Sequence, residues 1–178
     1  LASSRSQDGK DDTGVFFVDI IKSLSSGQLK MHYLIYRSLN KILIADKTKE
    51  KMNPGQETEL QREQIFFPSL GGVIEQFEKD DMGAILHGLH SKGLIGVFQT
   101  DNHVLEETKT LPYIKVAPTT LGVQLFAIAN NMFDKWREYS TFDFGDFDSV
   151  NLPRVYAQSI DSILEKLNLK KKEENTIK

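Results

Sequence analysis

The chain has 178 residues, 39% hydrophobic and 26% charged, a formal net charge of -3 and no cysteine. That mixture is globular and excludes disorder along the whole length. The acidic balance argues against bulk binding to nucleic acid, and the missing thiols remove disulfides, thiolate zinc sites and cysteine nucleophiles.

The length fits one domain, read here as residues 14–168 between a flexible N-terminal segment, 1–13, and a charged, disordered tail, 169–178. Phe16, Phe17, Ile20, Ile21 and Leu24 recur at helical spacing. Ser25-Ser26-Gly27-Gln28 has the form of a capping box, so a long helix is predicted to about Ala45. Its stripe of Leu29, Tyr33, Tyr36, Leu39 and Leu43, with Met31, Ile35 and Ile42 beside it, is wide enough to touch several neighbours. Residues 46–64 are charged, contain the Asn53-Pro54-Gly55 turn and read as an exposed insert. Phe66-Phe67-Pro68 returns to the core, and Val73, Ile74 and Phe77 suggest a brief helix after Gly71-Gly72.

Asp80 or Asp81 can cap a helix carrying Met82, Ile85, Leu86 and Leu89, which stops near Gly93. Leu94 to Phe98 reads as a strand, 101–110 as a polar loop and Tyr113 to Val116 as a returning strand. Pro118-Thr119-Thr120 opens a helix with Leu121, Val123, Leu125, Phe126 and Ile128. After Met132 to Trp136 comes a loop of alternating Phe and Asp, 142–148. Pro153 starts a last helix with Val155, Tyr156, Ile160, Ile163, Leu164 and Leu167 on one face.

Helix, glycine, strand, polar loop, strand, helix is the order of a winged helix after its first helices. Leu86-His87-Gly88-Leu89-His90-Ser91-Lys92-Gly93-Leu94-Ile95 resembles the L-x-x-L-x-x-x-G-L-I run that leads into such a wing. Ala117-Pro118-Thr119-Thr120-Leu121-Gly122-Val123-Gln124-Leu125 resembles the T-x-x-G-x-x-L that follows it. The expected fold class is therefore mainly α (α+β): a helical domain containing a winged-helix-like unit with a small two-stranded β wing.

Leu1-Ala2-Ser3-Ser4, then Phe17-Val18-Asp19-Ile20-Ile21-Lys22-Ser23-Leu24-Ser25 and Gln28-Leu29-Lys30, resembles the bacterial Abi-alpha family. The resemblance covers most of residues 1–130. It departs at Thr13-Gly14-Val15, where members often have a His-Pro turn, and in the 46–64 insert. It implies a setting, abortive infection in phage defence, and supplies no catalytic residue. Members have more helix upstream of this point, and the chain opens on Leu1, so a truncated N-terminus is expected.

No apolar run reaches the roughly 18 residues of a membrane helix, and no secretory pattern opens the chain, so a cytoplasmic protein is expected. A recognition helix over 80–92 would present Gly83, His87, His90 and Lys92, with Asp80 and Asp81 at its start. The 101–110 loop sets Asp101, Glu106 and Glu107 against Lys109. Phosphate contacts need cations, so DNA is disfavoured and protein docking preferred. His87 and His90 share a helix face, and His103 and Asp101 could approach them. Zinc requires three or four fixed ligands, and surface histidines are more often plain polar residues, so no metal or cofactor is expected.

There is no G-x-S-x-G, and Gly71-Gly72 lacks the phosphate-loop lysine. Asp143, Asp146 and Asp148 do not form a recognised acid–base site, so no catalytic residue is expected. Burial is the ordinary fate of Phe142, Phe144 and Phe147; exposed together they would form a docking loop. The last helix either closes the domain or pairs with a second copy. The function expected is a non-catalytic winged-helix interaction domain of an Abi-alpha-like protein in phage defence; the alternative is a winged-helix DNA-binding regulator.

Overall fold

The computed structural model describes residues 13–46, 50, 57–60, 62–69, 77, 81–106 and 108–169. Helix α1, Thr13–Lys22, buries Phe17 and leads through a turn that buries Leu24 into α2, Ser26–Ala45. Ser25 starts α2 as read from the sequence: its hydroxyl accepts from the Gln28 N–H at 3.2 Å, and Gln28 Oε1 accepts from the Ser25 N–H at 3.0 Å. Every residue from Met31 to Asn40 is buried, so neighbours wrap α2 on all sides.

α3, Glu57–Leu60, lies within the stretch read as an exposed insert, yet Leu60 is in the core. β1, Ile65–Pro68, precedes α4, Met82–Ser91, which Asp81 caps through the Ala84 N–H at 3.2 Å. Gly93, at φ +68°, ends that helical region in a backbone conformation that glycine adopts without strain. The hairpin of β2, Ile95–Glu106, and β3, Lys109–Pro118, follows, then α5, Thr120–Ala129. A 3-10 helix, Phe133–Glu138, and an irregular segment lead to α6, Ile160–Lys166.

The sheet corrects the expected fold class. It has three antiparallel strands in the order β1-β3-β2, with Ile65 opposite Val116 and Phe98 opposite Val116 from the other side. β3 is thus an interior strand and not half of a two-stranded wing. The class is α+β, with six α-helices among the described residues; a mainly α domain with a winged-helix unit is not shown. The four residues of β1 are too few to display an alternating pattern, so Phe66-Phe67-Pro68 read only as a return to the core.

The last helix also starts later than Pro153. Phe66 and Ala157 form an isolated antiparallel bridge, with N–H to O distances of 2.8 and 3.3 Å. An extended backbone at Ala157 cannot be helical, so α6 waits for Ser159, whose hydroxyl caps it through the Ser162 N–H at 3.2 Å. Ile163 and Leu164 of α6 pack with Leu111 and Ala157 in a small second core. The expected helix at 73–77 falls outside the described residues except for buried Phe77. The N-terminal segment before residue 13, the tail from 170 and much of the insert also fall outside them.

Candidate functional site

Arg37 sits mid-helix in α2 with 2% of its side chain exposed. A buried charge is tolerated only when paired and hydrogen-bonded, and here the Phe–Asp loop supplies the partners. Nη1 meets Asp143 Oδ1 at 2.7 Å, Nε donates to Asp146 Oδ1 at 2.8 Å, and Nη1 donates to Asn40 Oδ1 at 2.6 Å. Lys41 Nζ reaches the other Asp146 oxygen at 2.8 Å. Asn40 Nδ2 in turn donates to the Tyr139 and Phe142 carbonyls at 2.6 and 2.9 Å. One turn of α2 therefore holds the loop at both ends.

These contacts shift the charges. Asp143 is held below the ordinary carboxylate range, first by the Gly145 N–H, with Arg37 adding to it against the opposing effect of burial. Asp146 is held low mainly by the Arg37 hydrogen bond, with Lys41 assisting. Burial alone would weaken the charge on Arg37, but its two carboxylates outweigh that and raise it.

The three loop phenylalanines go to different places. Phe144 is buried edge-on to Phe126, ring centroids 5.3 Å apart. Phe142 is half-buried against Phe144. Phe147 stays 37% exposed, stacked on Tyr33 at 4.8 Å with its N–H donating to the Tyr33 hydroxyl at 2.8 Å. The structure thus leaves one ring, not three, exposed at the surface.

Phe147 stands beside a cavity of about 460 Å³ between α1, α2, α5 and the loop. Ile21, Leu29, Leu125, Phe126 and Val150 make its walls, and Leu29, 38% exposed, is at the surface with Phe147. His32 also lines it, although the ring is almost wholly buried. Its Nε2 lies 3.1 Å from the Gly122 carbonyl, which fixes the proton on that nitrogen when the ring is neutral. Burial lowers its pKa from 6.5 to about 4, so the ring is uncharged at neutral pH.

Gly83, His87 and His90 lie on α4 and Lys92 caps its end, with His87 and His90 exposed. His87 and His90 both approach Phe98 of β2 edge-on, at 4.9 and 5.8 Å, and His90 Nδ1 lies 2.9 Å from the Gly96 carbonyl. Gly83 and Lys92 are half-buried at the two ends of α4. His103 is on the hairpin opposite Leu111, and among the described residues no three of His, Asp and Glu converge to hold a metal ion. Of the apolar face expected on the last helix, Ile163 and Leu164 are buried within the chain, while Val155, Tyr156, Ile160 and Leu167 are half-buried.

Arg37, which anchors the candidate site, carries only a weak signal in the sequence. Its signal was a cation and an amide, Arg37 and Asn40, three apart on a stripe otherwise made of Tyr33, Tyr36, Leu39 and Leu43. Among the described residues no helix is long and apolar enough to cross a membrane. Comparison with family models, curated proteins and solved structures finds no match.

Proposed function

We propose that the chain is a non-catalytic protein-interaction domain, which takes an apolar side chain of a partner protein into the cavity flanked by Leu29 and Phe147. The setting proposed is the bacterial response to phage, on the strength of the Abi-alpha resemblance alone. The observation that carries the docking reading is Phe147: a partly exposed ring beside an apolar cavity, fixed from beneath by Tyr33. Rigid aromatic anchors around pockets are what protein interfaces concentrate their binding energy on. The loop that presents it is held by Arg37, so the surface is formed before a partner arrives.

A photo-crosslinking residue at Ser149, which also lines the cavity, tests this in the full chain expressed in phage-infected and uninfected cells. The expected result is one cross-linked protein that disappears in the Phe147→Glu and Leu29→Glu variants while both remain folded. A cross-link and phage protection unchanged by both substitutions would overturn the reading.

A further inference from the structure

A second cavity, of about 580 Å³, shares no lining residue with the first. Ile42 and Ala45 of α2 and Val155 and Tyr156 of the irregular segment give it an apolar lining. Among the described residues its charged lining is Lys41, Arg154 and Lys166, all cations from three separated parts of a chain whose net charge is -3. Among the described residues no carboxylate belongs to the lining. Like charges gathered around one concavity repel each other, and a bound anion relieves that repulsion.

Each cation is placed differently. Lys41 is already shared with Asp146. Lys166 Nζ donates to the Tyr156 carbonyl at 2.6 Å and stands 5.4 Å over the Tyr156 ring, which leaves further N–H donors on the same ammonium. Arg154 is exposed and has no acidic partner among the described residues. A guanidinium offers a planar fork of donors that fits a phosphate in two-point contact.

We propose that this cavity binds a phosphomonoester with a flat or apolar body, of the nucleoside monophosphate class. The phosphate, at about −1.5 to −2 near neutral pH, is matched by Arg154 and Lys166, with Lys41 already partly neutralised. The uncharged body lies on Ile42, Ala45 and Val155. The volume is within the usual range of small-ligand sites. A simple carboxylate carries less charge and fewer oxygens and leaves one cation unanswered.

Equilibrium dialysis of the full chain against AMP, adenosine and inorganic phosphate tests the assignment. The expected result is saturable binding of AMP that inorganic phosphate displaces and salt weakens. Adenosine and the Arg154→Ala variant should each bind about tenfold more weakly or worse, the effect of losing a charge-assisted contact. Arg154 is on the surface, so its replacement leaves folding intact, which circular dichroism checks. Absence of saturable AMP binding, equal affinity for AMP and adenosine, or an unchanged Arg154→Ala variant overturns the proposal. Phosphatidate vesicles carry the same phosphate on a lipid surface; co-sedimentation with them in place of AMP binding also overturns it. None of these outcomes bears on the Leu29–Phe147 surface, whose test is separate.

Discussion

Arg37 Nε and Asp146 Oδ1 meet at 2.8 Å across 109 positions of the chain. The cation is buried, while Asp143 and Asp146 keep 60% and 48% of their side chains exposed. That asymmetry decides which deletion costs more. Arg37→Met leaves two carboxylates that water can hydrate and deprives the buried Asn40 Oδ1 of its donor, for a loss of about 2 kcal/mol. Asp143→Asn combined with Asp146→Asn strands a buried guanidinium, for a loss of about 3 kcal/mol. Urea unfolding measures both, and the reverse order would refute the account.

His32 makes stability depend on pH. Its folded pKa, about 4, lies below the unfolded value of 6.5. Below pH 6.5 the unfolded chain takes up a proton that the folded chain refuses until about pH 4, so stability falls through that window as pH drops. The whole fall is worth about 3 kcal/mol. In His32→Gln the slope between those values should vanish. Asp143 and Asp146, whose folded values are depressed, add a separate loss below the ordinary carboxylate range near 4. Thermal melts from pH 7 to pH 3 resolve the two windows.

Gly122 lies where a side chain cannot. A Cβ there would overlap the Tyr36 hydroxyl and the Leu94 carbonyl. The same hydroxyl donates to the Leu94 carbonyl at 2.6 Å and accepts from the Thr119 N–H at 2.9 Å, tying α2 to both ends of the hairpin. Gly122→Ala should therefore cost about 2–3 kcal/mol by overpacking and loss of these bonds, read as a shift in denaturation midpoint. A neutral substitution would show that this junction is looser than described.

Ser25→Ala removes the hydroxyl that starts α2 and leaves the Gln28 N–H without its partner. The expected loss is about 1 kcal/mol, or about 2–4 °C in Tm for a chain of this size. Ser25→Asp, which keeps an acceptor, should restore it.

What could be read from the sequence had a local cause. Leu86, Leu89, Leu94 and Ile95 are all buried, and Gly93 takes the left-handed conformation between them, so the run that spells helix, stop and strand is explained within ten residues. The capping box of α2 is equally local. What escaped depends on distant partners. Four residues of β1 become a strand only because β3 lies alongside, and Arg37 becomes an anchor only because Asp143 and Asp146 return to it. The Phe–Asp loop could be singled out by composition, but the choice of Phe147 as the exposed ring is made by Tyr33 and by the space around Phe126.

The bridge between Phe66 and Ala157 also bears on self-association. It covers the outer amide and carbonyl of Phe66 at the middle of β1, a short run of Ile65, Phe66, Phe67 and Pro68 with the features that recruit foreign strands. A protease cut in the exposed segment at 145–149 would loosen that cover together with α6, which packs with Ala157. The nicked protein should then form strand-paired aggregates that bind amyloid dyes, whereas the intact chain stays monodisperse.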